Sequence, residues 1–261
     1  MTRLLSGVVM IAAFLGAIWY APPVVFLLIL GIILTAACIE LAGLFVQAGV
    51  GMPLYLATAG ALVAGGAVAH RPAQSGPVLI GTMLAVLTLV LATRKPASDV
   101  PAAAAASVFP IVYLAVPLAL AAVIRNAWGR EVLLLGLLVV WISDTAQFYV
   151  GSALGRHRLA PGISPKKSVE GAVGGFVAGI AAMAGIGRVW LPAVGLPVLA
   201  AAGAALVALG IAGDLFESLL KRSANVKDSS ALIPGHGGVL DRVDALLFVL
   251  PGYYLVLVLL T

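Results

Sequence analysis

Apolar runs long enough to cross a bilayer follow one another along nearly the whole chain, broken at proline, glycine and small charged clusters. A helical crossing takes about 20 mostly apolar residues, and such breakers mark where helices stop and start. The pattern predicts spans at Leu4–Tyr20, Pro22–Gln47, Pro53–Ala69, Pro77–Thr93, Pro101–Ile124, Glu131–Gly151, Gly171–Gly187, Val194–Leu220 and Asp244–Leu260. No internal repeat, long linker or low-complexity tail interrupts them. The expected fold is therefore an all-α integral membrane protein, a polytopic bundle of about nine transmembrane helices. It forms a single membrane domain over 1–261, with N-terminal helices in 1–130 and the polar chemistry in 131–261. The run after Arg3 reads as the first transmembrane helix, because Tyr20-Ala-Pro-Pro makes a poor small-residue cleavage site for a signal peptide.

Composition sharpens this picture. The chain of 261 residues is 62% hydrophobic and 10% charged, whereas soluble domains are about 45–50% apolar. Its one cysteine, Cys38, excludes an intramolecular disulfide and reads as a small buried apolar residue. The net charge of +5 comes from short loops. With a cytoplasmic N-terminus, 11 of the 15 Lys and Arg fall on the inner side, as the positive-inside rule requires. The expected location is the inner (plasma) membrane, multi-pass, with the N-terminus and the active site cytoplasmic. No basic helix with interleaved aromatics appears, so nucleic acid is not an expected partner; anionic head groups and phosphorylated small molecules are.

The charges that remain are concentrated. Ser218–Asp244, SLLKRSANVKDSSALIPGHGGVLDRVD, carries the cations Lys221, Arg222, Lys227 and Arg242 and the acids Asp228, Asp241 and Asp244 around a turn-forming Pro234-Gly-His236-Gly237-Gly238. Just upstream, Asp214, Ser218 and Lys221 share one helix face. A membrane-level aspartate costs about 2.5–3.5 kcal/mol on insertion scales, so Asp214 should face protein, a metal or a water-filled cavity, or pair with Lys221. Asp241 and Asp244 stand on one side of a first helical turn; the residues alone do not choose between them as a metal ligand. The loop after the sixth span holds Ser164-Pro-Lys166-Lys167-Ser168 before a Gly-rich helix, a set able to hold phosphate on lysines, hydroxyls and helix N-terminal amides. It is not a Walker loop, which needs glycine at 161 and 166, where Pro161 and Lys166 stand. Asp144 is a further membrane-level carboxylate. Glu40, in the second span, reads equally as a functional group or a helix–helix hydrogen bond, and His70 and His157 read as solvated loop histidines. Carboxylates among phosphate-binding cations suit Mg²⁺, which takes one or two carboxylates, keeps waters and accepts substrate phosphates.

The run Ser218-x-Leu220-Lys221-Arg222-x4-Lys227-Asp228-x-Ser230-x2-Ile233-Pro234-x-His236-Gly237-Gly238-Val239-x-Asp241-Arg242-Val243-Asp244 resembles the signature of the phosphatidate cytidylyltransferases, the CDP-diacylglycerol synthases. Ser143–Gly151 and Ile163–Gly171 resemble further segments of that family, so the likeness covers the chain from Trp141 onward. It implies a membrane enzyme of about nine helices, a homodimer, that joins CTP and phosphatidate to give CDP-diacylglycerol and pyrophosphate. It also implies that Asp214 and Asp241 hold Mg²⁺, with K⁺ as a companion ion. On this reading Lys221, Lys227 and Asp244 join the two aspartates in catalysis. Substrate is held by Asp144, Ser164, Lys166, Lys167, Ser168, Ser218, Arg222, Asp228, His236, Gly237, Gly238 and Arg242. The rival readings are a related CTP-dependent cytidylyltransferase or a kinase acting on an isoprenoid lipid, and a lipid or anion transporter. Against a transporter stand the absence of an inverted repeat and the gathering of charge at one membrane face.

Overall fold

A computed structural model of the protein describes residues 12–232 and 237–260. Helical residues 12–20 (α1) are followed by α2 (Pro23–Gln47), α3 (Leu54–His70), α4 (Gly76–Thr93), α5 (Val100–Pro110), α6 (Val116–Ala127) and α7 (Arg130–Leu154). A hairpin of β1 (Arg158–Ala160) and β2 (Ser164–Ser168) precedes α8 (Val169–Trp190), α9 (Leu196–Ser223) and α10 (Leu240–Leu260). Among the described residues seven helical segments are long and apolar enough to cross a membrane, α5 and α6 counting as one continuous stretch, Val100–Ala127. The chain is thus an all-α polytopic membrane protein. The third expected span is α3, a shorter apolar helix of 17 residues, and part of the first, Leu4–Tyr20, lies outside the described residues.

The helices face outward with their apolar side chains: Ile32 of α2 is 70% exposed and Leu91 of α4 80%. On a water-soluble protein such surface would be a liability; against lipid it is the proper solvent, since each helix satisfies its own backbone. Prolines sit at the first turns of α2, α4 and α5, where a missing N–H costs nothing. Pro110 and Pro117 remove donors inside the fifth span, and between them Ile111–Ala115 forms a wide π turn with Val116 N–H reaching Ile111 O. That turn carries the helix past both prolines.

The chain forms two compact units, one comprising residues up to Val123 with Leu220–Val243, the other Ile124–Leu219 with the chain from Asp244 onward. In the first, α2, α3, α4 and α5 pack on small side chains; Ala42, Met52, Ala57 and Ala106 make one buried cluster and Ala64, Val86 and Ile111 another. In the second, α7 and α8 lie so close that a Cβ on Gly171 would stand 2.7 Å from Gln147 O, and one on Gly175 would overlap Gln147 Cγ. Here glycine is demanded by contact, as in other close membrane helix pairs. Tyr253, fully buried in α10, donates its hydroxyl to Val132 O of α7 at 2.9 Å.

The seam has a measurable consequence. Gly175→Val is expected to force the two helices apart at Gln147 and destabilise the protein by about 1–3 kcal/mol, the usual cost of overpacking. The check is a lowered thermal midpoint in detergent; an unchanged midpoint would remove the seam from the stability argument.

Candidate active site

The loop expected after the sixth span is a short antiparallel hairpin, with Arg158 opposite Ser168 and Ala160 opposite Ser164. Ser168 then caps α8, its Oγ accepting from Gly171 N at 3.1 Å, which satisfies one orphan amide of the helix start. Glu170, one residue into α8, accepts from the backbone N–H groups of Arg156 and His157 and lies 2.6 Å from His157 Nδ1. His157 is the solvated loop histidine expected, its side chain 79% exposed, and it also helps fasten the hairpin entry to the helix.

This folding places β2 against the C-terminal parts of α7 and α9 within the second unit. Lys167 Nζ meets Asp214 Oδ2 at 2.6 Å, both side chains being partly exposed. Ser218, one turn further along α9, donates to Asp214 Oδ1 at 3.4 Å. Asp144 of α7 is oriented by Gln147, whose Nε2 donates to Asp144 Oδ1 at 3.0 Å. Asp144, Asp214, Arg158, Lys166, Lys167 and Ser168 line one cavity of about 660 Å³. Asp214 thus pairs with Lys167, brought by the hairpin, and not with Lys221 on its own helix.

A second cluster lies in the first unit. The helix α9 ends in a Schellman turn: Asn225 is left-handed at φ 56, Val226 N donates to Lys221 O and Asn225 N to Arg222 O, both at 3.0 Å. Arg222 is drawn into this terminus, donating to Val226 O at 2.6 Å. The turn sends the chain back past Lys221, whose Nζ donates to Asp241 Oδ1 at 2.6 Å with side chains only 11% and 8% exposed. The other oxygen of Asp241 accepts from Ser229 N at 3.0 Å, Ser229 Oγ at 2.8 Å and Gly238 N at 2.7 Å. Gly237 stands at φ 79, a backbone region that favours glycine.

Glu40 of α2, an acid whose role its sequence position alone does not assign, is buried in this cluster and takes donors from Ser229, Ser230, Val239 and Leu240. Its one visible signal was an acid inside an apolar run. Ser229 and Gln147 gave no signal.

Of the other expected site residues, Lys227, Asp228 and Arg242 are exposed. Asp244 accepts from the backbone N–H of Ala245 at 2.7 Å. Ser164 serves the hairpin register, and His236 lies outside the described residues. Among the described residues no group of three or more His, Cys, Asp and Glu gathers as a metal cage.

A helical membrane protein in which two aspartates share a cavity with an arginine and two lysines has the make-up of a membrane protein that handles charged ligands. The particular family is fixed by comparison: the model of the cytidylyltransferase family matches residues 1–260, and the chain belongs to that family. Among its relatives is the phosphatidate cytidylyltransferase of Thermotoga maritima, 34% identical over 197 residues, which are 73% of this chain and 72% of that protein. The enzyme of the same name from Bacillus subtilis is 39% identical over 142 residues, 52% of this chain and 51% of the relative. That of Staphylococcus saprophyticus is 41% identical over 124 residues, 47% of each. The match therefore spans about half the length of the Bacillus and Staphylococcus relatives.

Proposed function

We propose that this protein transfers the cytidylyl group of CTP to phosphatidate, giving CDP-diacylglycerol and pyrophosphate for phospholipid synthesis. The observation that carries this reading is the cavity where Lys166, Lys167 and Arg158 stand with Asp144 and Asp214. A phosphatidate oxygen forms the new bond to the α-phosphorus of CTP while the bond from that phosphorus to the bridging oxygen breaks, and the electron pair leaves with pyrophosphate. A phosphate monoester has a second pKa near 6, so the nucleophile is already ionised and no strong base is needed. The obstacle is repulsion between two polyanions. Lys166 and Lys167 hold substrate phosphate in the cavity, helped by the Ser168 hydroxyl and the amides at the start of α8. Lys227 and Arg242, both exposed, are further cations that phosphate charge can meet, while Lys221 holds Asp241.

Asp214 and Asp241 fit magnesium by their chemistry. Each offers hard anionic oxygen, each already accommodates a positive charge in the form of a lysine ammonium group, and magnesium asks for only one or two carboxylates with waters and substrate phosphates completing its shell. Magnesium held at Asp214, or at Asp241, would neutralise the charge building on the leaving phosphates. Potassium as a second ion, a homodimeric assembly and a cytoplasm-facing site in the inner membrane complete the proposal; the inward bias of Lys and Arg supports the orientation. The test is purified protein in detergent with CTP, Mg²⁺ and phosphatidate, assayed for pyrophosphate and CDP-lipid in equal amounts. Failure to form CDP-lipid under these conditions, or faster turnover of an isoprenoid lipid alcohol, overturns the reading.

A further inference from the structure

Glu40 lies on α2 about 10 Å before its C-terminal end, counting 1.5 Å per residue, and is 5% exposed. An acid so placed is expensive unless it is met by donors. Four meet it, all from residues 189 to 200 positions away in sequence: Ser229 Oγ at 3.0 Å, Ser230 Oγ at 2.7 Å, Val239 N at 2.9 Å and Leu240 N at 2.7 Å. Val239 and Leu240 are the entry of α10, whose first amides have no partner in their own helix, so the carboxylate acts as a long-range cap on the helix that begins at Leu240. The serine contacts fix the other side of the same turn.

Ser229 Oγ stands 3.0 Å from Glu40 Oε2 and 2.8 Å from Asp241 Oδ2. A hydroxyl has one proton to give, so Ser229 links the two carboxylates and can satisfy only one of them fully at a time. We infer that Glu40 is a positioning residue for Asp241, holding residues 229–230 and 239–240 so that this aspartate presents its carboxylate in one fixed orientation. The inference rests on the assignment of Asp241 as a metal ligand in the proposed reaction.

The experiment compares the full-length protein with Glu40→Gln, in which one end of the side chain becomes a donor facing donors. Mn²⁺ binding, read by electron paramagnetic resonance in detergent without substrate, is expected to weaken roughly tenfold, a shift that a merely structural role would not produce in the folded fraction. With CTP and phosphatidate, the same variant should need correspondingly more Mg²⁺ for half-maximal turnover while KM for phosphatidate stays unchanged. Ser229→Ala, which removes the link and leaves the other three donors to Glu40, should weaken Mn²⁺ binding in the same direction and serves if Glu40→Gln fails to fold. Unchanged Mn²⁺ affinity in the folded variant overturns the inference. A wild type that binds Mn²⁺ yet makes no CDP-lipid overturns the proposed reaction and leaves the role of Glu40 to be judged by the binding data alone.

Discussion

Asp214→Asn is expected to insert and purify normally while losing at least about a thousandfold in Mg²⁺-dependent turnover. The substitution keeps the side-chain volume and a partner for Ser218, so little is asked of the fold. Its ion pair with Lys167 has one side chain 20% and the other 34% exposed, and pairs open to solvent contribute modestly to stability. Catalysis is the sensitive quantity. A metal held at a developing phosphate charge supplies several kcal/mol, and each 1.36 kcal/mol is a factor of ten in rate, so about 4 kcal/mol is a thousandfold. Incorporation of radiolabelled CTP into lipid across a Mg²⁺ titration measures it, with size-exclusion chromatography confirming the folded state. Near-normal incorporation at any Mg²⁺ concentration would remove Asp214 from the metal site.

The second large effect is on stability. Lys221→Met is expected to cost about 3 kcal/mol, the lower end of what losing one partner of a buried ion pair costs. The pair is nearly sealed, at 11% and 8% side-chain exposure, so Asp241 would be left charged in a poor dielectric. Donors from Ser229 and Gly238 remain to it, which is why the lower end is the expectation. The double variant Lys221→Met with Asp241→Asn should recover much of the loss, because it leaves no solitary charge behind. Thermal unfolding in detergent reads both; a single variant as stable as the wild type would show that the pair is not sealed in solution.

The helices were legible because lipid simplifies the problem. With no water to satisfy a stray backbone, length and apolarity decide nearly everything, and the spans expected from Pro22 to Leu260 return as α2 to α10 with ends moved by a few residues. The π turn at Ile111–Ala115 was not legible, since Pro110 and Pro117 are each tolerable alone and only their spacing calls for a wider turn. Nor was the hairpin: Arg158–Ala160 is too short and Ser164–Ser168 too polar to show a strand alternation.

At the candidate site, residue types were visible and partnerships were not. Helix periodicity offered Lys221 as the neighbour of Asp214, but a tertiary contact gives Asp214 to Lys167 and Lys221 to Asp241. Glu40 stood out as a lone acid, yet its donors are some 190 residues away, beyond any spacing rule. The resemblance in Ser218–Asp244 carried the family, which the match over residues 1–260 supports.

The two lysine–aspartate pairs also bear on how the protein is made. A chain whose acidic groups were balanced only by a captured ion would meet the bilayer with naked carboxylates and would depend on metal supply during biogenesis, as zinc-dependent domains do. Here each carboxylate is born with its counterion encoded in the same polypeptide. On the proposed magnesium chemistry, chelators should therefore silence turnover without unfolding the protein, and cells short of divalent cations should still accumulate a correctly inserted, dormant chain.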